Sequence, residues 1–292
     1  ATIGSVVNKS NLFTNFPYVI VDECHRISAK EGMYKTFLAE LEKAGAKVLG
    51  LTATPYRLAS NSYGSELRFL TRTRPKIFKE MIYYVQNRAL FDAGYLAKME
   101  YATANGFDRD RLEINSTGAD FTDNSVQRYY RALNFQDKIV QVIEREMETR
   151  KNCLVFTRFV DEARYLVNNI PGSAIVTGET PKKERERVIE GFKSGDIPVV
   201  CNVGVLTLGF DYPELETVIL ARPTMSLGLY YQMIGRSIRP HPEKEYARVV
   251  DLCGNYGTFG KIEDLEIRDG GNGKWFVANG ERQLTNVYNP QG

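Results

Sequence analysis

Short apolar runs separated by longer amphipathic stretches repeat along the chain. Runs at 2–7, 18–21 and 47–51, then a second series at 153–156, 173–176, 199–202, 217–220 and 247–252, have strand length and few charges. Apolar runs without alternation suit strands buried on both faces of a parallel sheet. Over 31–44, Met33, Phe37, Leu38 and Leu41 fall on one helical face, and Gly45 can close that helix in a left-handed conformation. Thr180-Pro181 predicts another helix start, with Val188, Ile189 and Phe192 as its buried stripe. The pattern therefore predicts an α/β fold with two mostly parallel sheets. A helix-like segment at 86–91 and a turn at 93–98 place the boundary between domains of 1–96 and 97–256. Residues 105–124 are polar and read as loop with an edge strand. After 256 the alternation stops, and 257–292 predicts a short C-terminal β extension with a hairpin turn at 269–273.

Composition narrows the class without fixing the function. A chain of 292 residues accommodates two buried cores, and 43% hydrophobic with 25% charged residues is ordinary for a soluble globular protein. The formal net charge of +2 is too small to argue for nucleic acid by itself, so any basic surface is local. The four cysteines lie far apart with no Cys-x-x-Cys pair, and two histidines make a zinc site a poor fit. Reduced buried thiols in a cytoplasmic protein are expected. No apolar stretch has the length of a membrane span, and no signal peptide is evident.

Candidate chemistry sits at the ends of the apolar runs. The run at 18–21 stops at Asp22-Glu23-Cys24-His25, two carboxylates where a parallel sheet binds ligands, beyond its strand ends. A solvated acidic cap is the plainer reading. The next run ends in Thr52-Ala53-Thr54-Pro55, whose hydroxyls could hydrogen-bond the carboxylates, although Thr-Pro is also a common strand-ending turn. Gln232, Arg236 and Arg239 share a face if 226–239 is one helix, and such cations suit a transferring phosphoryl group. After the run at 199–202, Gly204, Thr207, Gly209 and Asp211 offer close backbone approach, a hydroxyl and an acceptor.

In chain order, Asp22-Glu23-Cys24-His25, Thr52-Ala53-Thr54, Val155-Phe156-Thr157-Arg158, Gly209-Phe210-Asp211 and Gln232-x-x-Gly235-Arg236-x-x-Arg239 resemble motifs II to VI of superfamily 2 helicases of the DExH type. The wording around them is most similar to RadD-like bacterial and phage DNA helicases, over roughly 1–256. The resemblance implies two RecA-like domains and ATP with Mg2+ as cofactors. Asp22 would hold the metal, Glu23 would orient or deprotonate the attacking water, and His25 would relay toward Gln232. Thr52 and Thr54 would couple hydrolysis to domain movement, Gly209 and Asp211 would line the nucleotide side of the second domain, and Arg236 and Arg239 would reach the γ-phosphate on closure. Thr157, Arg158, Thr177 and Thr207 would contact strand phosphates, on DNA in preference to RNA, with repair or phage replication proteins as further partners. The family's P-loop, Gly-x-x-x-x-Gly-Lys-Ser/Thr, is absent from this sequence, so the first RecA-like domain is expected to be incomplete and less stable than the second. A catalytically silent nucleic-acid-binding fragment, an RNA helicase and a restriction-type translocase stay open as alternatives.

Overall fold

A computed structural model describes residues 3–27, 32–61, 64–73, 76–204 and 211–284. The chain divides into two units, one built on residues up to Tyr84 with Ile267–Ala278, the other on Val85–Glu266 with Asn279–Arg282. The division thus falls at 84/85, and the C-terminal residues are shared between the units.

In the first unit, β1 (Tyr18–Val21) pairs in parallel with β2 (Lys47–Gly50), with Val21 opposite Gly50. Helix α2 (Met33–Lys43) connects them, and Gly45 beyond it takes φ +95°, as its spacing predicted. Phe37, Leu38 and Leu41 pack with Val21, Cys24 and Ile27 under one face of this pair. The opposite face is open: Tyr18 is 70% and Ile20 65% exposed, with Leu49 in the other strand and Leu51 just past its end exposed as well. The strand expected at 2–7 is instead helix α1 (Ile3–Val6) running into a 3-10 turn (Val7–Leu12). Ile3, Val6 and Val7 have i, i+3, i+4 spacing, and all three lie against the α2 core, so helical period prevails over the run of apolar letters. Two strands went unread in the sequence: β3 (Tyr56–Asn61) and β4 (Gly64–Phe69) form an antiparallel hairpin. Their apolar positions are interrupted by arginine, serine and glutamate, which hides them from a search for apolar runs.

The second unit holds a six-stranded parallel sheet in the order β5-β10-β9-β6-β8-β7. Its strands are β5 (Met99–Thr103), β6 (Cys153–Thr157), β7 (Ala174–Val176), β8 (Val199–Asn202), β9 (Thr217–Ala221) and β10 (Ala247–Asp251). Every residue of β6, β8 and β9 is buried, which is why these strands read as unbroken apolar runs. β5, an edge strand that alternates, escaped that reading. Helices α3 (Asn87–Asp92), α4 (Asp123–Ala132), α5 (Phe135–Met147), α6 (Val160–Asn169), α7 (Lys182–Ser194), α8 (Leu227–Ile234) and α9 (Asn255–Phe259) complete the unit. Within 105–124, an isolated antiparallel bridge joins Ile114 to Phe121. β11 (Leu265–Asp269), β12 (Trp275–Asn279) and β13 (Arg282–Gln283) form a three-stranded sheet, turning at the glycines the sequence marked.

Candidate active site

The ends of β1 and β2 are joined beyond their last paired residues. Leu51 N–H donates to the Val21 carbonyl at 2.8 Å, and Cys24 N–H donates to the Leu51 carbonyl at 3.0 Å. These bonds set 22–25 beside 51–54. Glu23 turns the chain at φ +50°, ψ +44°, a left-handed conformation that costs a residue with a Cβ and is found where function holds the backbone. Its N–H donates to Asp22 Oδ1 at 2.9 Å. The turn sends Cys24 into the core, where burial pushes its thiol up to about 11, and leaves the Asp22 and Glu23 carboxylates at the surface.

His25 Nδ1 lies 2.8 Å from Thr52 Oγ1 and 3.3 Å from Glu23 Oε2, and Thr54 N–H donates to the same Thr52 oxygen at 3.0 Å. Glu23, His25, Thr52 and Thr54 are therefore one connected chain of polar groups. Burial holds the His25 pKa below its usual value, against the pull of Glu23 and with help from Arg26, so the ring is mainly neutral at pH 7. A proton on Nδ1 serves both the carboxylate and the hydroxyl, because an ionised carboxylate only accepts. Arg57 Nη1 donates to the Ile27 carbonyl at 2.8 Å and fixes the far side of the turn.

Gly50 permits this approach. A Cβ there would meet Phe78 Cε1 at 2.6 Å and Cys24 Sγ at 2.7 Å. Gly50→Ala is expected to cost about 1–3 kcal/mol through overpacking. Urea denaturation of the two proteins checks this, and an unchanged midpoint would show that Cys24 and Phe78 yield freely.

In the second unit the Ser226 hydroxyl accepts Leu229 N–H at 3.1 Å and starts α8, but the helix ends at Ile234, not at 239. Gly235 caps it, and Arg236 and Ser237 N–H donate to the Met233 and Ile234 carbonyls in tight i to i−3 turns. The shared helical face expected for Gln232, Arg236 and Arg239 is corrected accordingly: Gln232 is on the helix, Arg236 is in the turn with its Nε donating to the Gln232 carbonyl at 3.3 Å, and Arg239 lies beyond. Arg239 Nη1 pairs with Asp211 Oδ1 at 2.5 Å, both half exposed, which brings two of the predicted residues together.

Lys244, unnoticed in the sequence, supports this pair. It is buried and donates to the carbonyls of Pro213 (2.6 Å), Leu215 (3.1 Å) and Ser237 (2.9 Å), tying the segment after Asp211 to the one before Arg239. Burial lowers its pKa to about 8, opposed by Glu216 and Glu214.

The predicted strand contacts are placed unevenly. Thr157 is buried at the end of β6, its hydroxyl donating to the Asn202 carbonyl at 3.3 Å. The Arg158 guanidinium is 8% exposed and donates to Asp123 (2.8 Å), Asp120 (3.2 Å), Phe121 O (2.7 Å) and Pro223 O (3.4 Å). Four protein acceptors make it a brace between β6 and the 120–123 segment. Thr177 Oγ1 accepts Glu179 N–H at 3.2 Å in the turn before α7. Thr207 and Gly209 lie outside the described residues.

Residues 135–241 match the family described as helicase conserved C-terminal domain, and 2–57 match the type III restriction enzyme res subunit. The mitochondrial ATP-dependent helicase irc3 of Schizosaccharomyces pombe is 31% identical over 248 residues, 82% of this chain and 38% of that protein. Among solved structures, the type ISP restriction-modification enzyme LlaBIII bound to DNA superposes with a TM-score of 0.54 at 19% identity, covering 85% of this chain and 19% of that one. Saccharomyces cerevisiae Dbp5 bound to RNA and ADP BeF3 gives 0.53 at 14% identity, over 86% of this chain and 57% of that one. These likenesses agree with the RecA-like architecture of the six-stranded parallel sheet. The chain spans between about a third and just over half of the length of the curated relatives it matches. With both family matches falling on the motifs in their expected order, the chain belongs to the superfamily 2 helicases.

Proposed function

We propose that the chain forms most of the motor of an ATP-dependent DNA helicase or translocase. The observation that carries this reading is the connected set Glu23, His25, Thr52 and Thr54, built at the ends of adjacent parallel strands around a left-handed glutamate. Asp22, an exposed carboxylate of the kind a hard divalent cation takes, would hold Mg2+ together with nucleotide phosphates. When bound, the metal would neutralise phosphate charge. Glu23 would accept the proton of the attacking water, and neutral His25 would hold its carboxylate in place through Nδ1. Arg236 and Arg239 are assigned to the triphosphate by motif order, and the Asp211 pair would keep Arg239 from swinging away before nucleotide arrives.

Thr177 and Thr207 are assigned to strand phosphates by the family resemblance, while Thr157 and Arg158 brace the end of β6. Such contacts position the strand and carry no sequence information. DNA is favoured over RNA because the restriction-enzyme family covers the catalytic turn and LlaBIII is bound to DNA, whereas the RNA-bound Dbp5 is the more distant in sequence. A role in repair or phage DNA metabolism, in the cytoplasm, fits the RadD-like wording and the four free buried cysteines. No helix among the described residues is long and apolar enough to cross a membrane.

The test is ATP hydrolysis by this chain, and by a version extended upstream to include a P-loop, with single-stranded DNA or RNA of matched sequence. DNA is expected to stimulate the extended protein more than RNA, and binding is expected to weaken steeply with salt. Stimulation by RNA alone would move the motor to the RNA helicases. A silent extended protein that still binds DNA would leave only a binding module.

A further inference from the structure

Six lysines and arginines fall between Tyr56 and Lys79 against one acid, Glu66, a formal charge of +5 in a chain whose total is +2. None of the helicase motifs uses them. Within this stretch Arg57 of β3 stands directly opposite Arg68 of β4, so both side chains leave the same face of the hairpin. Like charges so placed destabilise a strand pair. Burial, and after it Arg68, lowers the pKa of Arg57. Of the described basic residues in the stretch, only Arg68 has a carboxylate partner among the described residues, Glu66.

The stretch is anchored, which sets it apart from a loose basic tail. Leu70 N–H donates to the Pro55 carbonyl at 2.9 Å and closes the base of the hairpin onto the 3-10 turn Leu70–Arg72. Thr73 is buried, its hydroxyl donating to the Leu70 carbonyl at 2.9 Å, while Arg72 is exposed. Beyond it Ile77 and Phe78 pack on the core that holds Cys24 and Ile27, and Lys76 and Lys79 on either side of them are exposed. Arg57 donates to the Ile27 carbonyl and Phe78 lies beside Gly50 and Cys24, so both ends of the stretch meet the turn Cys24–Arg26 with its cap Ile27. Four residues past Lys79, Tyr83 is 80% exposed and has no ring partner among the described residues. Tyr84 packs edge-on against Trp275 at 5.3 Å and holds the chain there.

Guanidinium forks match phosphate oxygens in pairs, and an anion between Arg57 and Arg68 removes their mutual repulsion. Cations followed by a bare aromatic ring are the combination that holds a single strand, the cations on its phosphates and the ring on an unstacked base. A duplex offers the phosphates without the base. An acidic protein surface would engage the charges and leave Tyr83 idle.

We infer that Arg57, Arg68, Arg72, Lys76 and Lys79 bind the phosphates of single-stranded nucleic acid, and that Tyr83 stacks on one of its bases. The inference rests on the motor reading above and adds a strand contact in the first unit, where the motifs assign none. Through Arg57, the strand site adjoins the Ile27 carbonyl at the end of the turn that carries Glu23 and His25.

The experiment follows binding of fluorescein-labelled oligothymidylate to this chain by anisotropy, without nucleotide and over a range of salt. Arg68→Gln/Arg72→Gln/Lys79→Gln is expected to weaken binding by about tenfold or more near 0.1 M salt and to lower the salt slope by about two, three contacts at roughly 0.7 each. Arg57 is left in place because it fixes the turn. Arg131→Gln/Lys138→Gln/Arg145→Gln removes the same charge from exposed positions on α4 and α5. It should weaken binding by less than about threefold, since charges that do not touch the strand are largely screened at that salt. Tyr83→Ala, a change at an exposed position, should weaken single-strand binding by about five- to a hundredfold and narrow the preference over a duplex of the same length. Equal losses in the two triple variants, or a Tyr83→Ala protein that binds like its parent, would overturn the proposal. So would binding of phosphatidylserine vesicles with no binding of the oligonucleotide, which would assign the surface to a membrane. If the variants weaken binding as expected while the upstream-extended protein hydrolyses ATP at a rate that no strand changes, the motor reading fails and the strand site stands.

Discussion

Glu23→Gln is expected to lower strand-stimulated ATP hydrolysis by about 10^2- to 10^4-fold, the usual worth of a positioned general base, while DNA affinity changes little. The substitution keeps the shape of the side chain and the left-handed turn. It removes a carboxylate that faces solvent while held beside the histidine, since the Glu23 side chain is 46% exposed and its Oε2 stays 3.3 Å from His25. Asp22 is not expected to replace it, because that carboxylate is the proposed metal holder and stands one residue earlier, before the reversal, where it accepts the Glu23 N–H. Hydrolysis and fluorescence-anisotropy binding are measured on whichever form of the motor turns over. Residual hydrolysis above a tenth of the parent rate would remove Glu23 from the base role. Weakened DNA binding with unchanged turnover per bound strand would assign it to the strand path instead.

The turn was legible in the sequence because its chemistry is local. Asp22, Glu23, His25, Thr52 and Thr54 occupy two short segments that end two adjacent strands, so finding the strands was nearly enough to find the cluster. The central strands of the second unit were legible for a related reason: burial on both faces leaves β6, β8 and β9 without charged residues and with a polar residue only at one end of each. What the sequence concealed depends on contacts between distant segments. Glu162 drew no attention in the sequence, yet it is 2% exposed and its Oε1 has no hydrogen-bond partner among the described residues. Lys244 reads as a surface lysine beside His241 and Pro242, and only the fold brings three carbonyls 7 to 31 positions away onto its ammonium. Arg158 is a different case. Motif order pointed its charge at a phosphate, while the 120–123 segment, read as loop, supplies the acceptors that hold it.

Asn255→Ala is expected to destabilise the second unit by about 3–5 kcal/mol, more than any other single polar truncation considered above. Asn255 is fully buried and joins four groups at once. Its Oδ1 accepts Arg109 Nη1 at 2.8 Å and Thr224 N–H at 3.0 Å, and its Nδ2 donates to Asp251 Oδ1 and the Arg222 carbonyl, both at 3.0 Å. Alanine would leave all four short of a partner in a place water does not replace. Arg109 would keep the Thr224 and Cys253 carbonyls, and Asp251 the N–H groups of Cys253 and Tyr256, so the loss stays below that of two bare charges. Arg111→Ala is the contrasting case: its side chain is 70% exposed with one ion pair, and a cost below about 1 kcal/mol is expected. The chain's single tryptophan, Trp275, belongs to the first unit, so its fluorescence reports that unit while far-UV circular dichroism is dominated by the second. In urea, Asn255→Ala should move the circular dichroism transition by a molar or more and leave the tryptophan transition in place. The effect should reach function as well, because Thr224 lies two residues before the Ser226 cap of α8, which carries Gln232 into the Arg236 turn. Equal shifts of both transitions would show that the two units unfold together, and no shift in either would show that the network contributes nothing to stability.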